Sequence, residues 1–357
     1  MRVLHINAGN EDGGARTYII NLMKGQKNIG VDSTLMTFQE GPVSQMARHN
    51  GLDVIVLPQK QRFDLSILSR MKDYINKNNF DVVTTHGPRA NFLVSRISKK
   101  ISAKWAITVH SDPRIDFSGL KGSIMIKLNM SALKKADFIF YINPDLVEYF
   151  EDNGINPYNL FEVFNAIEFK NLGIEPTKQE IFSILEVARL VEIKNHRLLL
   201  LALSKVNFDF KLTLVGDGPM LAELKEYSKE LNIADKVDFA GFHENTGDYY
   251  QSNDITILTS KSESLPAVYF ESAQYARPVI ATNVGATSKL INNNNGWLVE
   301  SENVDGLVAA LNDAYASYQN GTLDNKGFKL FDDVKNNFSI DKLAQKFDQG
   351  YSKLLSR

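Results

Sequence analysis

The stretch IFSILEVARLVEIKNHRLLLLALSKVNFDFKLTLVGDGP, residues 181–219, decides the fold. It opens on IFSILEVA (181–188), a short apolar run with β-branched and aromatic side chains, which reads as a strand. A leucine-rich segment at about 196–206 follows with the length and composition of a helix, and FKLTLVG (210–216) is a second strand. A strand, a helix and a strand in that order imply two parallel strands with the helix on one face of the sheet.

The alternation continues on both sides. Downstream, KVDFAG (236–241), DITILTS (254–260), RPVIATN (277–283) and GWLVE (296–300) read as strands, with helices at about 220–232, 266–276 and 304–318. Upstream, VLHINA (3–8), STLMTF (33–38), DVIVLP (53–58), DVVTTH (81–86), WAITVH (105–110) and DFIFYI (137–142) read as strands, with helices at 15–29, 65–78 and 90–102. The pattern stalls near 155–178, where Pro157, Gly173, Pro176 and several asparagines collect. The expected fold class is therefore α/β, with two Rossmann-like doubly wound domains facing each other across a cleft. The first spans 1–168 and the second 169–340. A last helical stretch, 340–355, comes after the second sheet is complete, so residues 341–357 are expected to pack back on the first domain.

Composition removes several classes of function. The 357 residues are 43% hydrophobic and 23% charged, ordinary for a soluble globular chain. No run approaches the roughly 18 apolar residues of a membrane helix, and MRVLHINAGNEDGG does not read as a signal peptide. The absence of cysteine excludes disulfides, thiolate metal sites and a cysteine nucleophile. The six histidines, His5, His49, His86, His110, His196 and His243, lack the spacing of a metal site. Residues 1–135 hold 20 Lys+Arg against 10 Asp+Glu, a net of +10, and the remainder carries −12. The first part should attract anions. No stacking or groove motif of a nucleic-acid binder is visible, so no nucleic acid is expected.

Ligands of open α/β sheets bind at the carboxyl ends of the strands, so chemistry is sought in strand-end loops. The loop Gly9-Asn10-Glu11-Asp12-Gly13-Gly14-Ala15 leads from the first strand into a helix, and Gly13 and Gly14 would let a phosphate or sugar approach the backbone; a tight turn is the plainer alternative. Arg189 and Lys194 follow the first strand of the second domain and could clamp a diphosphate, or could be two solvated charges. VGDGP (215–219) makes a sharp turn at Gly216 that could touch a nucleotide or serve the fold alone. Ser260-Lys261-Ser262-Glu263-Ser264-Leu265-Pro266-Ala267-Val268-Tyr269-Phe270-Glu271 is the most informative segment. Pro266 marks a helix start, whose free N–H groups can hold a phosphate, while Glu263 and Glu271 can accept hydrogen bonds from hydroxyls on either side. His110 stands at a strand end ahead of a long loop, where a structural and a catalytic role are both open.

Taken together, Gly13-Gly14, Val109-His110, Arg189 with Lys194, VGDGP, FAG (239–241), Glu263-x7-Glu271 and PVIAT (278–282) resemble the GT-B glycosyltransferases, and within them the retaining family 4 that includes bacterial exopolysaccharide and lipopolysaccharide transferases. The resemblance implies a retaining transferase that moves a sugar from a nucleotide-diphosphate donor, UDP-linked, to a glycan or lipid-linked acceptor in cell-surface polysaccharide synthesis. It implies no cofactor and no metal. Arg189 and Lys194 would neutralise the leaving diphosphate and Glu271 would hold the ribose. Glu263 would hold the donor sugar, beside Ser264, Leu265, Pro266 and Ala267, with His110 facing it from the first domain. Gly14 would approach the diphosphate and acceptor, and Phe242 would border the base. The implied place is the cytoplasm, with peripheral association at an anionic inner membrane face.

The chain departs from the family pattern at Ser264, Ala276 and Asn195, each where glycine is usual, and at Lys289, where a glutamate is usual. Two other readings share the fold: a UDP-sugar 2-epimerase and a non-catalytic partner subunit of a transferase complex.

Overall fold

Apolar strands alternate with helices along the chain and collect into two parallel sheets. The computed structural model describes residues 1–11, 13–59, 64–112, 114, 119–169 and 179–357. Residues 1–168 and 338–357 form one unit, and 169–337 form the other. Asp12 and residues 170–178 of the expected joining stretch lie outside the described residues.

In the first unit the chain runs β1 (Arg2–Asn7), α1 (Gly14–Asn28), β2 (Asp32–Thr37), α2 (Pro42–His49), β3 (Asp53–Val56), α3 (Ser66–Lys77), β4 (Val82–His86), α4 (Pro88–Val94), β5 (Lys104–Val109), α5 (Gly119–Leu133), β6 (Phe138–Tyr141), α6 (Leu146–Asp152) and β7 (Leu160–Glu162). The sheet order is β3-β2-β1-β4-β5-β6-β7. β4 is buried at every residue and β1 at all but Arg2, as strands covered by helices on both faces must be. The order reverses between β1 and β4, which opens a crevice beyond their carboxyl ends.

The second unit runs β8 (Phe182–Val187), α7 (His196–Leu203), β9 (Phe210–Val215), α8 (Leu221–Glu230), β10 (Val237–Gly241), α9 (Gly247–Gln251), β11 (Ile255–Leu258), α10 (Ala267–Gln274), β12 (Val279–Thr282), β13 (Gly296–Val299), α11 (Val304–Gln319) and α12 (Leu323–Asn337). Its sheet order is β10-β9-β8-β11-β12-β13, with the reversal between β8 and β11.

The last helix, α13 (Ile340–Leu355), returns to the first unit. Ser339 caps it by accepting from the Lys342 N–H. Its start meets α1 so closely that a Cβ on Gly25 would sit 2.1 Å from the Ile340 carbonyl oxygen. Further along, Phe347 stacks on Phe140 at 4.2 Å between centroids. Phe347 and Tyr351 are fully buried, and burial of one such side chain contributes about 1.5–3 kcal/mol.

Some expectations need correction. The helix expected over 90–102 stops at Val94, and a single 3₁₀ turn, Ser98–Lys100, follows. The stalled region contains β7, an edge strand of three residues whose polar neighbours hide its pattern. α6 and α12 were not expected. Two departures from the family pattern acquire a backbone meaning. Asn195 has φ 55° and Ala276 has φ 50°, left-handed conformations that glycine adopts without strain and asparagine tolerates. Among the described residues no helix is long and apolar enough to cross a membrane.

Candidate active site

In the second unit the polar residues gather where β8 and β11 lie side by side. The loop after β8 is tied to the loop after β11 by Lys261 N–H to the Ile193 carbonyl, 2.8 Å, and by the Thr259 hydroxyl to the Asn195 carbonyl, 3.1 Å. This fastening presets the approach of Lys194 to Glu263. The two form an ion pair, with side chains only 18% and 13% exposed, and Ser260 Oγ donates to Glu263 Oε1 at 2.6 Å.

A second carboxyl lies close by. Glu186 is on β8 and wholly buried. Burial pushes its pKa up to about 8, with Lys194 and the Thr259 backbone pulling back and the Glu263 charge adding to the rise. The buried His196, its Nε2 3.7 Å from Glu186 Oε2, is lowered to about 4 by burial and then by Lys194. Burial thus favours the uncharged form of both groups, and the carboxylate in contact with Lys194 is that of Glu263.

The other expected residues line the same carboxyl ends. Arg189, just past β8, is exposed, and its guanidinium makes no ion pair among the described residues. The expected twin clamp is thus uneven: Lys194 is held and Arg189 is open. Gly216, after β9, has φ 146°, and a Cβ there would lie 1.9 Å from the Ala188 carbonyl, so its glycine answers a packing need. Phe242, after β10, is 76% exposed. Ser264, Leu265, Pro266 and Ala267 lead into α10. Leu265 is buried, Pro266 is the N-cap, and no side chain caps the first turn. Gly285, at φ 57°, tucks beneath this segment with room for no Cβ, 1.9 Å from the Glu263 carbonyl. Glu271, on α10, accepts from Tyr250 Oη at 2.8 Å. Burial raises its pKa, while Tyr250 and Thr246 draw it back.

The first unit has a pocket of about 230 Å³ at its own switch point, lined among others by Glu11, Gly87, Asn91, Asn129 and His110. Gly13, at φ 87°, caps α1, and both Gly13 and Gly14 face open space. Glu11 leans over Gly87 so closely that a Cβ on Gly87 would lie 2.5 Å from its carboxylate. Burial raises the Glu11 pKa, and a hydrogen bond from Asn7 lowers it. His110 is the third of three linked imidazoles: His110 Nε2 lies 3.1 Å from His86 Nδ1, and His86 Nε2 lies 3.0 Å from His5 Nδ1.

Sequence reasoning missed Glu11, His5, His86, Glu186 and His196. His86 ends a strand as His110 does, and Glu186 is a charged residue inside an apolar strand. Both were visible signals. His5, a polar residue inside the apolar strand VLHINA, gave the same signal as Glu186, and His196 offered none.

Known proteins resemble this chain over both of its units. The sequence model described as "Glycosyl transferases group 1" matches residues 167–324, and "Glycosyl transferase 4-like domain" matches 13–165. Among curated relatives is N-acetylgalactosamine-N,N'-diacetylbacillosaminyl-diphospho-undecaprenol 4-alpha-N-acetylgalactosaminyltransferase of Campylobacter jejuni. It is 31% identical over 205 residues, 55% of this chain and 54% of that protein, so the match spans about half its length. The O-antigen biosynthesis glycosyltransferase WbnH of Escherichia coli is 27% identical over 315 residues, 87% of this chain and 89% of the relative. Among solved structures, Anabaena HepE in complex with UDP superposes with a TM-score of 0.82 at 16% identity, covering 99% of this chain and all of that one. Two Rossmann-like units of this kind define the GT-B fold. The two models together take in residues 13–165 and 167–324, and the chain belongs to the glycosyltransferases, with the GT-B fold.

Proposed function

We propose that this glycosyltransferase moves a sugar, with retention of configuration, from a UDP-sugar to a glycan or lipid-linked acceptor in cell-surface polysaccharide synthesis. The proposal rests on the Lys194–Glu263 pair beside the uncapped start of α10, at the switch point of the second sheet. That place joins a cation, N–H groups and a carboxylate, the partners a diphosphate and a sugar hydroxyl need. Exposed Arg189 adds a second cation, Glu271 would hold a ribose, and Phe242 offers an open aromatic face to a base. UDP complexes of the fold neighbour HepE support the choice of nucleotide.

In this reaction the acceptor oxygen bonds the anomeric carbon, the bond from that carbon to the diphosphate breaks, and the hydroxyl proton leaves with the phosphate. Arg189, Lys194 and the α10 N–H groups would stabilise the departing charge, a contribution on the order of 2–4 kcal/mol per donor. No metal is required in this scheme. Calorimetry with UDP in EDTA tests it, and binding abolished by chelation would reject it. Turnover assayed with and without acceptor, followed by proton NMR of the product, tests the rest. A β-linked product from an α-donor would overturn retention, and donor conversion without acceptor would point to the epimerase.

The proposed acceptor side includes an anionic membrane. Ile124 and Leu128 of α5 are exposed at 59% and 37%, and Lys127, Lys134 and Lys135 are exposed beside them. The side chain of Lys121, in the same helix, lies outside the described residues. Such a surface favours docking by about 1 kcal/mol per lysine. Co-sedimentation that needs anionic liposomes and weakens with salt is the expected result; equal sedimentation with neutral liposomes would exclude it.

A further inference from the structure

The three imidazoles step diagonally across the first sheet. β1, β4 and β5 are adjacent, and Asn7 pairs with His86, which pairs with Thr108. His5 is two residues before Asn7 and His110 two after Thr108, so all three rings share one face at diagonal reach. Neighbouring rings tilt by only 33° and 29°, with centroids 5.2 and 5.3 Å apart. His5 and His86 are wholly buried. At the inner end His5 Nε2 lies 2.8 Å from Gln26 Oε1 on α1. At the outer end His110 lines the pocket of the first unit.

The proton positions follow in order from Gln26. Its carbonyl oxygen can only accept, so His5 carries its proton on Nε2. A neutral His5 then offers Nδ1 as an acceptor, and His86 must donate from Nε2. By the same step His86 Nδ1 accepts, and His110 donates from Nε2. His110 then carries no proton on Nδ1, and the residue lines the pocket. Gln26 Oε1 faces His5, and Gln26 Nε2 is buried without a hydrogen-bond partner; Tyr351 of α13 bonds Thr84 at 2.9 Å.

We infer that Gln26, His5 and His86 are positioning residues that hold His110 neutral and protonated at Nε2, so that its Nδ1 receives a hydrogen bond from a ligand hydroxyl and does not pair with a phosphate oxygen. Burial supports this, lowering His5 and His110 to about 4 and His86 well below its ordinary value. A phosphate oxygen has no proton to give a bare nitrogen, so the file sorts ligands by polarity. The inference rests on the proposed sugar-binding role of His110 and gives that contact its direction.

The test is ¹⁵N NMR of the whole protein labelled at histidine, at pH 7. The expected spectrum shows three neutral rings, each protonated at Nε2, with nitrogen–nitrogen couplings across His110–His86 and His86–His5. A proton on His110 Nδ1, an imidazolium among the three, or missing couplings would overturn it. Gln26→Glu, which keeps an acceptor, should preserve the proton positions, whereas Gln26→Met should leave His5 with mixed tautomers. His86→Phe keeps a ring in place but cuts the file, and should lower kcat about tenfold with little change in KM for the donor. A His110→Ala enzyme with undiminished turnover would remove the sugar-binding role while leaving the file intact, so the two failures are distinguishable.

Discussion

Replacing Glu263 by Gln should move nucleotide binding and turnover in opposite directions. Glutamine keeps the length of the side chain and can still accept from Ser260 Oγ, so the α10 entry should hold its shape. What disappears is the charge beside Lys194. Two unit charges in hydrogen-bonding contact attract by about 6 kcal/mol at an effective dielectric of 20 and by about 1.5 kcal/mol in water. The pair is partly exposed, and desolvation takes back much of that gain, which leaves a net interaction of about 1 kcal/mol. Lys194 must surrender or share this interaction when a diphosphate arrives, and the Glu263 charge also repels the ligand. Glu263→Gln should therefore tighten UDP binding by about fivefold. The same variant loses a charged acceptor for a sugar hydroxyl, worth about 1.5–3 kcal/mol, and kcat should fall roughly 10–100-fold. Calorimetry with UDP in EDTA and initial rates with saturating donor read the two effects separately. Weaker UDP binding, or unchanged turnover, would refute the exchange of partners at Lys194.

Stability should respond to pH through the buried histidines and Glu186. His5, His110 and His196 have folded pKa values of about 4 against 6.5 unfolded, so the unfolded chain binds more protons below 6.5 and stability should fall as the pH drops from 6.5 towards 4. Glu186 has a folded pKa of about 8 against 4.5, so its contribution is present below 4.5 and is lost as the pH rises towards 8. Urea midpoints measured at several pH values should show both limbs. Glu186→Gln should flatten the alkaline one, which amounts to at most about 2 kcal/mol between pH 6.5 and 8, and an unaltered slope would contradict its burial as a neutral acid. Gly285→Ala should cost about 2–4 kcal/mol in urea denaturation, because its Cβ would meet the Glu263 carbonyl at a positive φ. Gly14→Ala, with open space around it, should leave stability within about 1 kcal/mol and lower turnover, and full activity would remove Gly14 from the ligand path. Ala276→Gly should relieve the strain at φ 50° and raise stability by about 0.5–1 kcal/mol; a lowered urea midpoint would show that no strain is stored there.

The alternation of buried strands and helices is written in local composition. A strand buried on both faces must be apolar along its length, so β1, β4, β8 and β11 could be read directly, and with them the two sheets and the loops where ligands meet them. The same rule placed Arg189, Lys194, Glu263 and His110 at strand ends. The sequence also marked Asn195 and Ala276 as departures from glycine, although only the backbone angles explained the glycines. It did not determine partners. Lys194 and Glu263 are 69 residues apart, and nothing local says that the loops after β8 and β11 are fastened together. Nor does it say that burial favours the neutral form of Glu186, eight residues before Lys194, and that the contact with Lys194 falls to Glu263. His5, His86 and His110 come from three strands and read singly as unrelated residues. Parallel register alone sets them in one file, because it brings chain segments about 80 and 24 residues apart to adjacent rows of one sheet face. Burial and hydrogen-bond direction are properties of that assembled neighbourhood, and they decide which of these groups carries a charge and which nitrogen meets a ligand.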